Sequence, residues 1–124
     1  MPSEPLGILL ISGGHERAHY AFVLATGAAA IGRPVVLFAT NAGCAALVTD
    51  LSAFAEAEAT VQATGVAGLA ELRSAATDLG VRLIACEAGL RLAALPPERL
   101  LPGVEVAGVV TFLSASRGGQ LLSL

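Results

Sequence analysis

Leu6-Gly7-Ile8-Leu9-Leu10-Ile11 is an unbroken apolar run of strand length, closed by Ser12-Gly13-Gly14. Continuous rather than alternating apolarity predicts a strand buried on both faces, as in a parallel sheet. Helix-forming residues fill 15–31, and Gly32 stands where a left-handed C-terminal cap belongs. Arg33-Pro34 breaks that pattern, and 35–40 predicts a second buried strand. Asn41 is placed to cap a short helix running to Leu47 or Val48. Residues 51–66 carry alanine, glutamate and threonine without a clear period and read as an irregular loop or a frayed helix. Beyond Ala67, Leu69, Leu72, Ala76 and Leu79 recur at helical spacing, with Gly80 as the stop. A third strand follows at 81–86, a short helix at 88–94 and a proline-bracketed connector around Glu98-Arg99-Leu100-Leu101. A brief strand at 104–106, a helix at 108–116 and a last strand at 120–123 complete the chain. Strand and helix alternate about five times, which predicts one open α/β sheet with right-handed crossovers over 1–124.

The predicted helices differ in their outer faces. The helix after Ala67 carries Glu71, Arg73 and Asp78 away from its leucines, so one face is expected to meet water. The first helix has no charge after Arg17, and Tyr20, Phe22, Val23, Leu24, Ala28 and Ile31 cover every side of it. A helix apolar all round must be buried all round, and 108–116 is charge-free as well. The pattern therefore predicts a homo-oligomer with 18–32 and 108–116 in the interface.

Composition sharpens this. Hydrophobic residues make up 55% of 124 and charged residues only 14%, which excludes a disordered chain. The charge-free stretches 18–32 and 34–49 both fall short of the roughly 20 apolar residues that span a bilayer. The N-terminus has an acid at Glu4 and no basic region before its apolar run, so it does not read as a signal peptide. All 7 basic residues are single, scattered arginines against 10 acids, with no patch to grip nucleic acid. Two cysteines are too few for a disulfide framework and suit the reducing cytoplasm.

Ligands of open α/β sheets bind at the carboxyl ends of strands, so the strand-to-helix turns carry the candidate chemistry. Cys86 ends the third strand just before a helix, where backbone N–H groups favour a thiolate; the neighbouring Glu87 opposes one. Cys44, in Asn41-Ala42-Gly43-Cys44, has small uncharged neighbours and reads as a packed core thiol. A Cys44–Cys86 redox couple requires the second and third strands to be adjacent. Ser12, Gly13 and Gly14, with Asn41 and Gly43 on the next turn, are candidates for a small-ligand or anion contact. His15 and His19 have the spacing of metal ligands on one helix face, but nothing nearby completes a tetrahedral set, so no metal is expected. Glu16-Arg17 and Glu87/Arg91 read as solvated or locally paired charges.

Three segments together resemble the DsrE/DsrF-like family of small sulfur-relay proteins, most closely its stand-alone, peroxiredoxin-like members. They are ISGGHERAHYAFVLATGAAAIGRPVVLFAT, LGVRLIACEAGLRLAAL and LLPGVEVAGVVTFLSAS. The strand ending in Ala85-Cys86 before a small-residue helix is the most specific part, and 42–66 is the weakest. The resemblance implies a three-layer α/β/α fold with a five-stranded, mainly parallel sheet, and oligomers. It also implies that Cys86 carries a persulfide between donor and acceptor proteins without a metal or organic cofactor. Two features depart from the family pattern. The helix after Cys86 lacks the methionines common in stand-alone relatives, and Asn41-Ala42-Gly43-Cys44 replaces an aromatic-glycine element. The competing expectation is a non-catalytic, oligomeric small-ligand-binding module. A peroxidase-like thiol protein ranks below both, since no proline-threonine motif or arginine flanks either cysteine.

Overall fold

The computed structural model describes residues 4–124. Five strands, β1 (Leu6–Leu10), β2 (Val35–Ala39), β3 (Arg82–Cys86), β4 (Glu105–Ala107) and β5 (Gln120–Ser123), form one sheet in the order β4-β3-β2-β1-β5. Every neighbouring pair is parallel. The α-helices are α1 (His15–Ala30), α2 (Ala55–Ala63), α3 (Leu69–Asp78), α4 (Glu87–Leu92) and α5 (Val109–Ala115).

Strand order dictates where the helices lie. From β1 to β4 the chain steps across the sheet in one direction, so right-handed crossovers put α1 and α3 on one face. The step from β4 to β5 runs back past β1, and α5 therefore lands on the other face. Alternating side chains follow suit. Leu37, Ala39, Leu83 and Ala85 pack with Ala18, Ala21, Phe22 and Ala25 of α1 and with Leu69 and Ala76 of α3. Val36, Phe38, Ile84 and Cys86 pack with Phe112 of α5, whose ring stacks on Phe38 at 4.9 Å. Burial on both sides explains the continuous apolar strands, and the molecule is a three-layer α/β/α fold.

The two outer layers are unequal. One seven-residue helix covers the second face, and Val106, Val109, Val110, Leu113 and Leu121 stay exposed around it. Helix α1 is not buried all round within the chain: its sheet-facing side is covered, while Tyr20 and Ile31 stand in solvent.

Three local expectations are corrected. Asn41 caps nothing: it takes a positive φ of 52°, and its side-chain oxygen accepts the Thr40 hydroxyl at 3.2 Å. The segment it begins is a 3-10 helix, Asn41–Leu47. Residues 51–66 are ordered as a 3-10 turn, Ser52–Phe54, leading into α2, because Phe54 and Glu58 are both buried and anchor it. Arg73 does not face water. It is 6% exposed, and its guanidinium donates to the carbonyls of Ala46 (2.9 Å), Val48 (2.5 Å) and Thr49 (3.5 Å).

Candidate functional site

Cys86 is the last residue of β3 and the N-cap of α4, and its sulfur accepts a hydrogen bond from the Gly89 amide at 3.4 Å. That donor is positioned by packing. Helix α4 lies against the 3-10 helix so closely that a Cβ on Gly89 would collide with the Asn41 amide and the Thr40 side chain. The adjacent Glu87 is exposed and paired with Arg91 at 2.7 Å, so its charge is locally compensated. Both thiols are buried, Cys86 at 9% exposure and Cys44 at 0%.

Cys44 belongs to the other core cluster, on the α1 side of the sheet. Its thiol donates weakly to the Ala39 carbonyl at 3.6 Å. Burial, followed by the nearby Cys86 sulfur, pushes its pKa up to about 11. Strands β2 and β3 are neighbours, as a redox couple would need. The two cysteines nevertheless belong to different core clusters, and a thiol with so high a pKa is a poor nucleophile near neutrality.

Of the candidate residues on the two glycine turns, Gly13 and Asn41 border a common cleft, while Ser12, Gly14 and Gly43 do not line it. Gly43 is buried, and a Cβ there would land on the Leu10 carbonyl, so its role is close packing over the end of β1. Gly13 and Asn41 line a cleft of about 490 Å3 together with Leu92 and Leu95. Gly13 and Gly14 also border a second cleft, of about 800 Å3, between the start of α1 and α2. Ser12 lines neither cleft; its hydroxyl accepts the Gly14 amide at 3.1 Å, a bond that competes with any anion for that donor.

The second cleft holds what the sequence pattern did not reveal. His15 Nε2 lies 2.7 Å from Oε1 of Glu58, which is 8% exposed and also accepts the Leu69 amide at 2.7 Å. His19 Nε2 donates to the Ala67 carbonyl at 2.8 Å, and the two imidazoles stack with centres 5.6 Å apart. Among the described residues no cluster of three or more histidine, cysteine or acidic side chains is arranged to hold a metal.

Glu58 joins α1, α2 and the start of α3 through one carboxylate. Burial alone would raise its pKa. The hydrogen bonds from His15 and from the Leu69 and Ala70 amides outweigh that and hold it below the ordinary 4.5. A depressed carboxyl pKa contributes stability above the unfolded-state value and loses it as pH falls through the folded value. Glu58→Gln is therefore expected to lower stability by about 2 kcal/mol at neutral pH. The gap to wild type should narrow as pH drops below the carboxylate range, read from urea unfolding midpoints; a pH-independent gap would contradict it.

The family model described as DsrE/DsrF/DrsH-like matches residues 51–121, more than half of the chain. The chain belongs to the DsrE/DsrF/DrsH-like family. The match takes in α2, α3, Cys86 and α5 and leaves out the Ser12–Gly14 turn, so family membership rests on the C-terminal part. Two solved structures extend the likeness in fold to nearly the whole chain. The ychN protein from E. coli is 15% identical with a TM-score of 0.70, covering 98% of this chain and 99% of that one. MTH1491, a protein of unknown function from Methanobacterium thermoautotrophicum, is 18% identical with a TM-score of 0.67, covering 98% of this chain and all of that one. At such identities the two establish a shared fold for this DsrE-like chain. No curated protein sequence matches it.

Proposed function

We propose that this DsrE-like chain is a sulfur carrier that holds a sulfane sulfur on Cys86 and passes it to an acceptor thiol. The observation that carries the reading is the Gly89 N–H aimed at the Cys86 sulfur, at the carboxyl end of a central strand. A sulfur that must exist as thiolate and then as persulfide anion needs a fixed donor, and this one is held by backbone packing. The Cys86 thiolate attacks the outer sulfur of a donor persulfide, the donor's sulfur–sulfur bond breaks and the donor leaves as a thiolate, so the exchange needs no metal or organic cofactor. Family membership is consistent with the reading, as are two free thiols, which suit a reducing cytoplasm. Wild type and Cys44→Ser are expected to acquire cyanide-labile sulfur from a persulfide donor, and Cys86→Ser none. Equal loading of Cys86→Ser would overturn the assignment.

The same reading includes a second copy of the chain against α5. Val109, Val110 and Leu113 are exposed on this one thin layer, and Val106 and Leu121 are exposed on the two edge strands, apolar surface that a second copy would cover. Sedimentation at micromolar concentration is expected to show a dimer or larger species. A single monomeric species would contradict this part.

The alternative, a non-catalytic binding module, draws on the cleft of about 490 Å3 lined by Gly13 and Asn41. It would gain if Cys86 took up no sulfur while Cys86→Ser left assembly unchanged. No helix among the described residues is long and apolar enough to cross a membrane.

A further inference from the structure

We propose that Cys44 is a positioning residue for Cys86: from within the 3-10 helix it holds the end of β3 where the Cys86 sulfur meets the Gly89 amide. This role rests on the reading of Cys86 as the sulfur-bearing thiol, and it gives Cys44 no sulfur to carry. The Gly89–Cys86 hydrogen bond has two ends, and the 3-10 helix touches both. At the donor end its first residue, Asn41, packs its amide against Gly89 with no room for a Cβ between them. At the acceptor end the contact is made by Cys44, which is fully buried.

Along a strand inside a parallel sheet, successive residues turn their main-chain groups to opposite neighbours. Thr40 donates its amide to the Leu10 carbonyl at 3.0 Å and so faces β1. The Ala39 carbonyl is therefore turned to β3, where Ala39 lies opposite Ala85. The Cys44 thiol donates to that carbonyl at 3.6 Å, and its sulfur accepts the main-chain amide of Cys86. One side chain thus ties the last residues of β2 and β3 to the 3-10 helix. A thiol can serve both partners, because its S–H donates while its sulfur accepts. Burial keeps the Cys44 thiol protonated near neutrality, with a pKa of about 11, so the proton it donates stays in place. The contact is with the main chain of Cys86 and leaves the Cys86 sulfur to Gly89.

The test compares Cys44→Ser with Cys44→Ala in the full chain, both of which leave Cys86 as the only thiol. Serine keeps a donor and an acceptor at the position, and alanine keeps neither. The Gly89 amide is followed by proton–nitrogen NMR on glycine-labelled protein, with Cys86→Ala supplying the signal of that amide without its sulfur acceptor. In Cys44→Ala the Gly89 signal is expected to move toward its Cys86→Ala position. Sulfur uptake from a persulfide donor should slow about tenfold in the same variant, as misplacement of a reacting group does. Cys44→Ser should keep the wild-type signal and the wild-type rate. A role in packing alone would lower the unfolding midpoints of both variants together and leave the Gly89 signal in place. An unmoved signal or an unchanged uptake rate in Cys44→Ala, or equal displacement in Cys44→Ser, would overturn the proposal. The amide signal does not depend on sulfur chemistry. A wild-type chain that takes up no sulfur would remove the carrier reading, whereas an unmoved signal removes the positioning role.

Discussion

Arg73→Met is expected to lower unfolding stability by about 3 kcal/mol, as removing one partner from a buried charged network does. Methionine keeps most of the stem volume, so the cavity term is small and the loss is polar. Three carbonyls, those of Ala46, Val48 and Thr49, lose their side-chain donor inside the fold. Each unmet carbonyl costs about 1–3 kcal/mol. The net is smaller than their sum, because Arg73 carries a burden of its own: its Nε is buried without a partner, and burial pushes its pKa down, opposed by the charge of Glu58. Arg73→Lys should fall between, since an ammonium lacks the fork that reaches three acceptors at once. Urea unfolding monitored by circular dichroism gives the measurement. Wild-type stability in Arg73→Met would mean that water satisfies those carbonyls and that the clamp is dispensable.

Gly43→Ala should be at least as damaging, about 3 kcal/mol, because the clash is with backbone and not with a side chain that can swing away. The new Cβ would land on the Leu10 carbonyl oxygen, 2.8 Å from its carbon and 3.2 Å from that of Ile11. That same oxygen accepts the Thr40 amide at 3.0 Å, so the 3-10 helix cannot lift without breaking the link between β1 and β2. Gly27→Ala supplies the opposite sign. Nothing lies within 4 Å of a Cβ there, and the residue is inside α1, so alanine should add about 0.5–1 kcal/mol. If both substitutions shift the melting temperature alike, close packing at Gly43 is not what that glycine provides.

These two positions also show what was legible in the sequence. Strands buried on both faces announce themselves as continuous apolar runs, so β1, β2 and β3 stand out and Cys86 falls at a strand end, whereas the largely exposed edge strand β5 carries no such run. The fourth strand, three residues at the edge, is read at 104–106 and lies one residue later, at Glu105–Ala107. Arg73 was readable and misread. Leu69, Arg73 and Ala76 follow the i, i+4, i+7 spacing of a buried stripe, and charge alone suggested solvent.

Glu58 left no such trace. It sits in an alanine-rich stretch without period, and its partners His15 and Leu69 lie 43 and 11 residues away in sequence. The histidine spacing was visible, but the partners that hold both rings come from Glu58 and Ala67, which only the packing of α2 and the start of α3 against α1 brings near. Glycine marks close approach, and sequence does not say whether a ligand or another backbone does the approaching; at Gly43 the Leu10 backbone does.

Intact-mass spectrometry after incubation with a sulfane-sulfur donor, in buffer free of reducing agent, tests the central claim most directly. Wild type is expected to gain the mass of one sulfur atom, to lose it on treatment with a thiol reductant, and to show no gain as Cys86→Ser. A wild-type chain that never gains sulfur, or a gain that survives in Cys86→Ser and vanishes in Cys44→Ser, would contradict the assignment of Cys86 as the carrier.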